Sequence, residues 1–455
     1  MRKQNLMEAG LIAGIAVAVV AFGGTEPLSF AAVQVVVLGL ACFLLVSERG
    51  SDRTGRFPMA VPGILLAVVL LELLPLPRWV LQALGDRSGS LGSAGPAAAS
   101  VAPHQTQVEF LHWVTYAAAF YLASEVCRRR EAMQRLVIAL VILGSAEALY
   151  GVIEFLTGWQ PLRRFVAIPR AYPVGTYVNR DHFAGLLEMV FPFALALAFA
   201  RGEKAFGQAP QARGGWLRNV LLRPGLGPVV LWMFLSALLL LGIVCSLSRM
   251  GILSALVATA FVAFLLVTSG HGRRAGAMVL TGFLCVAVSL ALWMGIEPVL
   301  DRYAEPMTGR LGIWADTLAL IRQSPVVGIG LGTLGVAITP VQTVYLDKVI
   351  DHAHNDYLEF AAELGLPGAL LLFAALFWVL GRTVGAIYRP GRGFPKAAAT
   401  GAAGGLAAIL THSLADFNLH IPANALVFAV LLGVAWAVSS AGREEPHAHH
   451  EFARA

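Results

Sequence analysis

The stretch DHAHNDYLEFAAELGLPGALLLFAALFWVL, residues 351–380, decides what kind of chain this is. Its first part, Asp351 to Gly368, holds Asp351, His352, His354, Asp356, Glu359 and Glu363. Its second part, Ala369 to Leu380, is apolar without interruption and is built for lipid. Titratable residues where a loop drops into a membrane helix are costly, so they are read as functional. Helix punctuation alone, a polar first turn and a kink at Gly365-Leu-Pro-Gly368, would not need two histidines among the acids.

The whole composition points the same way. Of 455 residues, 57% are hydrophobic and only 13% are charged, whereas a soluble chain carries about twice that charge. The apolar residues fall in runs of roughly 18 to 22, enough to cross a ~30 Å hydrocarbon core as helix. The expected fold is all-α: a polytopic integral membrane protein with about 12 transmembrane helices and one long outer loop. Spans are expected near Glu8–Gly24, Leu28–Val46, Met59–Leu76, Val108–Cys127, Leu136–Thr157 and His182–Ala200. The others are expected near Val229–Ser246, Gly251–Ser269, Met278–Ile296, Tyr357–Gly381, Ala398–Ala415 and Ala423–Ser440. Met1-Arg2-Lys3 before the first run has the outline of a signal peptide, but a second run follows at once, so an uncleaved first span is expected.

Twelve spans put both termini on one side, and about two thirds of the Lys and Arg residues lie in segments on that side. Both termini are therefore expected in the cytoplasm. The formal charge of +6 is spread over short loops, as topology signals are, so no nucleic acid is expected as a partner. Cys42, Cys127, Cys245 and Cys285 form no CxxC pair, and His447, His449 and His450 read as an exposed tail. Neither a metal nor a cofactor is expected. Gly89 to Pro103 reads as a flexible connector.

The basic residues left on the outer side are the informative ones. Arg163, Arg164, Arg170 and Arg180 share one loop, Arg249 sits in another, and Arg302, Arg310, Arg322 and Lys348 lie in the longest. The positive-inside rule disfavours them there, and an anionic substrate, most simply a phosphate or diphosphate, accounts for them. Ser246-Leu-Ser-Arg249-Met-Gly251 holds its arginine near the membrane face between two close spans, where it can grip a diphosphate. Asn179-Arg180-Asp181-His182 stands at a helix start, where Asp181 is expected as the cap and Arg180 as part of an anion site.

Arg310, Trp314 and Asp316 open a helix expected to be amphipathic and to lie at the membrane surface. Gly330 to Gly335 fits GxGxxG by spacing, but the fingerprint needs a βαβ unit, and in an outer loop of a membrane protein, with no ATP or NAD to bind, a nucleotide site is rejected. His354, followed by Asn355, has the chemistry to take a proton from a sugar hydroxyl. Asp356 or Glu359 would orient its imidazole or bind sugar hydroxyls, and His352 is the rival base. His412, Asp416, Asn418 and His420 line up at the outer end of the eleventh span, where they would face a sugar cleft or make ordinary inter-turn hydrogen bonds.

At these residues the chain resembles the O-antigen ligase-related family of bacterial membrane glycosyltransferases, which includes O-antigen ligases and O-antigen and exopolysaccharide polymerases. The family pattern, His-Asn/Ser, about nine residues, then Gly-x-x-Gly, is matched by His354, Asn355, Gly365 and Gly368. Ser248-Arg249-Met-Gly251, Asn179 to Ala184, and Arg310 with Trp314 resemble further family blocks.

The resemblance implies a GT-C-type fold and a donor glycan on undecaprenyl diphosphate, moved at the periplasmic face to a glycan or lipid A-core acceptor. A chain-length regulator is a further expected partner. It implies His354 as the proton acceptor and Arg249, Arg310 and Arg180 as diphosphate ligands. Asn355, Asp356, Glu359, His412 and Asp416 would surround the glycan. Direct displacement implies inversion, with polymerase slightly preferred over ligase. A lipid-linked oligosaccharide flippase is the alternative. On this reading, residues 1–174 are N-terminal spans, 175–440 the catalytic membrane region with its periplasmic loop 297–356, and 441–455 a cytoplasmic tail.

Overall fold

Backbone polar groups in lipid must be satisfied within their own segment, and the regular elements among the described residues are all helices. A computed structural model describes residues 2–47, 60–77, 79–80, 98–161, 173–206, 224–271, 281–282, 285, 289, 308–343, 349–391 and 393–441. In chain order the longer helices are α1 (Arg2–Val20), α2 (Pro27–Ser47), α3 (Ala60–Leu73), α4 (Pro103–Val126), α5 (Arg130–Thr157), α6 (Arg180–Phe206) and α7 (Leu226–Cys245). They continue with α8 (Arg249–Leu266), α9 (Thr308–Gln323), α10 (Asp356–Glu363), α11 (Gly365–Ile387), α12 (Phe394–His412) and α13 (Pro422–Ser440).

Eight helices among the described residues are long and apolar enough to cross a membrane: α1, α2, α5, α6, α7, α8, α11 and α13. Three more of the expected spans are helices of another kind. The 14-residue α3 is apolar but short. The helix α4 begins with the polar run Pro103-His-Gln-Thr-Gln. The helix α12 is dominated by Ala and Gly. The expected span Met278–Ile296 lies almost wholly outside the described residues, as do Arg163, Arg164, Arg170, Arg302, Lys348 and the tail histidines.

The helix α6 is the centre of the bundle, with 89% of its spanning window enclosed by the rest of the chain, against 17% for the outward-facing α11. Small residues on α12 let it lie directly on α6. A Cβ added at Gly405 would stand 2.5 Å from the carbonyl oxygen of Met189, and one at Gly401 2.7 Å from the Cα of Phe193. Such close approach is how helices associate where no water drives them together. Low side-chain bulk, which costs α12 hydropathy, is thus what seats it in the core.

Two expectations need correction. Tyr357–Gly381 is not one span: α10 ends at Glu363 and the membrane helix begins at Gly365. Gly365 breaks the path with φ of +69°, a conformation only glycine adopts freely. The cap of α6 is also different: Asn179 Oδ1 accepts from the Asp181 N–H at 2.9 Å, so Asn179 does the work expected of Asp181.

The glycine-rich loop after α9 explains itself here. The N–H groups of Ile329 and Gly330 donate to the carbonyls of Ala362 and Glu363, and Leu366 N–H donates to Pro325 O, at 2.8 to 3.1 Å. Gly328 (φ +75°) and Gly365 face each other across this seam, and a Cβ on either would stand 2.1 or 2.2 Å from a backbone carbonyl oxygen. The spacing that mimics a nucleotide fingerprint is the footprint of main chain packed on main chain.

Candidate functional site

The loop before α10 is held atom by atom. Ala353 donates its N–H to Glu359 Oε2 at 2.9 Å, and its carbonyl accepts from Trp314 Nε1 at 3.0 Å. The Asp356 N–H donates to the carbonyls of Ser413 and Asp416, at 3.0 and 3.1 Å. Asn355 caps α10: its Oδ1 accepts from Leu358 N–H at 3.1 Å, while its Nδ2 donates to Leu414 O at 2.9 Å. His354 is clamped between these anchors in the left-handed region, φ +51°. That conformation costs a β-carbon residue about 1–3 kcal/mol and persists where the surroundings over-determine it.

The two histidines of the loop part company. The His352 ring stacks on Phe417 at 4.0 Å and places Nδ1 2.6 Å from Glu359 Oε1. The His354 ring meets the same Phe417 edge-on and points Nδ1 at Asp416 Oδ1, 3.6 Å away, beyond direct hydrogen-bond distance. Its side chain is 30% exposed, whereas that of Asp416 is 1% exposed. The carboxylate facing His354 is therefore Asp416, and neither Asp356 nor Glu359 orients it. Asp356 accepts from Ser413 Oγ at 2.7 Å and pairs with His420 Nδ1 at 2.8 Å.

Two networks result, divided by Phe417. One joins Glu188, His412 and Asp416: His412 Nδ1 lies 3.0 Å from Glu188 Oε2, and its Nε2 3.5 Å from Asp416 Oδ2. Asn418 adds a hydrogen bond to Asp416 at 3.0 Å, and Asn424 ties Asn418 to the carbonyl of His182. The other joins His352, Glu359, His420, Asp356 and Glu363. His420 Nε2 lies 3.5 Å from Glu363 and 3.7 Å from Glu359. Glu359, Glu363 and His420 offer ligand atoms within 4.8 Å of one another, a geometry that suits a metal ion. Protonated His420 bridging the carboxylates uses the same atoms, so the two states exclude each other.

The arginines come from three helix starts. Arg310, on the first turn of α9, donates to Ala415 O at 2.8 Å and lies 3.8 Å from Asp181. Arg180 opens α6 and Arg249 opens α8. Ser248 caps α8 by accepting from Gly251 N–H, and Gly251 packs against Ala184, so the first turns of α6 and α8 touch. Arg310, Arg180 and Arg249 are thus gathered at the end of the bundle that carries His354. His182, Glu363 and His420, which the sequence placed in polar clusters without a definite role, complete the arrangement, together with Glu188 and Phe417, which sequence reasoning missed. Glu188 did leave a signal there, an acid inside an otherwise apolar run.

Charge in these networks sets a pH dependence. Burial disfavours the His420 cation, but Glu359, Asp356 and Glu363 outweigh it and raise its pKa well above the usual value. His352 is raised in the same way by Glu359. Burial disfavours the Asp416 carboxylate, yet the histidines around it hold it well below the usual carboxylate range, and Glu359 is likewise lowered. Raised histidines stabilise the fold below their ordinary pKa, and that contribution is lost as pH climbs through the raised value. Depressed acids stabilise above their ordinary range and lose that contribution as pH falls through the depressed value. Asp356 and Glu363, pushed up by burial, contribute a loss that begins lower, as pH rises from the ordinary carboxylate range toward their raised values. Thermal unfolding in neutral detergent is expected to show a midpoint that falls from roughly pH 6.5 upward. His420→Gln should flatten that alkaline limb; an unchanged limb would mean that His420 is neutral in the fold.

A bundle of long apolar helices that carries a cluster of buried acids and imidazoles at one end, with three arginines beside it, defines a polytopic membrane protein with a candidate polar site there. Residues 234–373 match the family model described as O-antigen ligase. This match, over about a third of the chain, supports an O-antigen ligase-related family and, at family level, a membrane enzyme of the ligase or polymerase type. The matched region includes Arg249, Arg310, His354, Asn355, Asp356 and Glu359, and leaves Arg180, His412 and Asp416 outside it. No curated protein matches the chain.

Proposed function

We propose that this protein is a metal-independent, inverting glycosyltransferase of the bacterial inner membrane. It moves a glycan from undecaprenyl diphosphate to an acceptor hydroxyl at the periplasmic face, with both termini in the cytoplasm. The acceptor is another lipid-linked repeat in O-antigen or exopolysaccharide assembly, in preference to lipid A-core. What carries the reading is His354: a part-exposed imidazole, held in a strained loop beside buried Asp416, with Arg310 bonded to the adjacent Ala415.

In this reaction His354 accepts the proton of the attacking hydroxyl, and the hydroxyl oxygen forms the new bond to the anomeric carbon. The bond from that carbon to the diphosphate oxygen breaks, and the electron pair leaves with the diphosphate. Arg249, Arg310 and Arg180 balance the charge that builds there, an electrostatic role of the kind that dominates many enzyme sites. Asp416 holds the imidazole in place and stabilises its protonated form, while His412 and Glu188 support Asp416 from behind. Asn355, Asp356 and Glu359 position the loop, and His352 is tied to Glu359, which favours His354 as the base.

The test is glycan profiling in a strain lacking the protein, complemented with wild type, Arg249→Ala or Arg310→Ala at matched membrane levels. Each arginine variant is expected to lower transfer by about 10²–10³-fold, the usual cost of one oxyanion ligand. Single repeats accumulating on the lipid would support the polymerase, and long lipid-linked chains would replace it with the ligase. Unaltered surface polysaccharide in both variants would remove the diphosphate role.

A further inference from the structure

At the end of the bundle away from His354 lies a cavity of about 410 Å³ that the reaction does not use. It opens where α5 and α12 begin and α6 ends, and each of these helices has its other end toward the imidazoles. Leu197, Ala200 and Phe394 form its apolar wall; Arg130, Arg201 and Lys204 contribute cations, with Glu203 the one acid among the lining residues. Arg130 reaches across the start of α12, with Nη2 3.6 Å from the position a Cβ would take on Gly393.

Like charges around one cavity repel, and the repulsion is relieved when an anion enters. Two further features favour an anion of a particular kind. The helices α5 and α12 both begin at this cavity without a side-chain cap, so their first N–H groups and dipole ends add positive potential. The apolar wall beside the cations suits a group that carries hydrocarbon on one side. The volume is that of a small-molecule pocket, which starts at about 300 Å³.

We propose that this cavity binds a phosphate group, with Arg130, Arg201 and Lys204 as its ligands. Basic pockets between membrane helices commonly take anionic lipid headgroups, and inorganic phosphate presents the same chemistry without the tail. The role is to bridge α5, α6 and α12, and so to brace α6 and α12, the helices that carry His182, Glu188 and His412 at their far ends.

Thermal unfolding of the purified full-length protein in neutral detergent tests this, with phosphatidylglycerol, inorganic phosphate or phosphatidylcholine added. Phosphatidylglycerol is expected to raise the unfolding midpoint, and phosphatidylcholine is not. A rise with phosphatidylglycerol alone identifies a lipid headgroup, and an equal rise with inorganic phosphate identifies a free phosphate. Arg201→Gln with Lys204→Gln should weaken the response at least about tenfold in concentration, as loss of a charge-assisted hydrogen bond does. Arg130→Gln, from a different helix, should weaken it as well. The proposal is overturned if neither anion shifts the midpoint beyond phosphatidylcholine, or if all variants respond like wild type.

Discussion

His354→Asn is expected to reduce glycan transfer by about 10²–10⁴-fold, the contribution of a positioned general base, while the protein accumulates and unfolds as wild type does. Asn suits this experiment because it enters the left-handed region more readily than other side-chain residues. The φ of +51° at this position is therefore kept. The side chain is 30% exposed and makes no direct hydrogen bond among the described residues, so little folding energy leaves with it.

His352→Asn is the matched control with the opposite profile. It removes the partner 2.6 Å from Glu359 and the stack on Phe417, so it should lower the unfolding midpoint. Breaking a buried pair from one side costs about 3–5 kcal/mol, and this half-open one should cost less. Transfer per folded molecule should stay within about tenfold of wild type, since the proton-accepting group is intact. Equal transfer by His354→Asn and wild type would sink the assignment, and a lipid-linked glycan flippase would become the better reading.

The second large effect is on folding. Gly365→Ala is expected to abolish most of the folded protein. The added Cβ would stand 2.2 Å from Val326 O, 2.6 Å from Val326 C and 3.0 Å from Gly328 N, and φ is +69°. Main chain cannot swing aside as a long side chain can, and the left-handed conformation alone costs about 1–2 kcal/mol. A total above about 4 kcal/mol takes a large share of a stability of about 5–15 kcal/mol.

Gly381→Ala, sixteen positions along the same helix, has nothing within 4 Å of the new Cβ. It should be neutral or stabilising by up to about 1 kcal/mol. Size-exclusion profiles and unfolding midpoints of the two variants give the comparison. If Gly365→Ala behaves like Gly381→Ala, the loop does not pack on the α10–α11 junction as described.

What the sequence revealed follows from what each physical signal can carry. Long apolar runs report membrane helices because lipid imposes one secondary structure, and each of the eight strongly apolar helices overlaps a span expected from hydropathy, although α11 starts at Gly365 and not at Tyr357. The helix α12 was placed by its apolar run as well, but not its role, since Ala and Gly give no sign of which neighbour they admit. The break at Gly365 was visible as a Gly-Leu-Pro-Gly kink, yet only the partner strand of backbone at Pro325 to Gly330 says where the helix restarts.

The loop histidines stood out because charge is scarce around them. Their pairing did not, because it depends on residues about 60 positions away: Asp416 for His354 and His420 for Asp356. Phe417, between the two networks, is one aromatic among 24 phenylalanines and carries no local mark.

The seam between the loop after α9 and the α10–α11 junction is made of amides and carbonyls, and its two glycines contribute only the absence of a side chain. Surface and architecture are thereby set by different atoms. Between Gln323 and Leu334 the side chains of Ser324, Ile329, Leu331 and Thr333 are buried with the seam, while that of Val326 is exposed. A substitution at Val326 can therefore change the surface of the loop while the main-chain seam beneath it keeps its register.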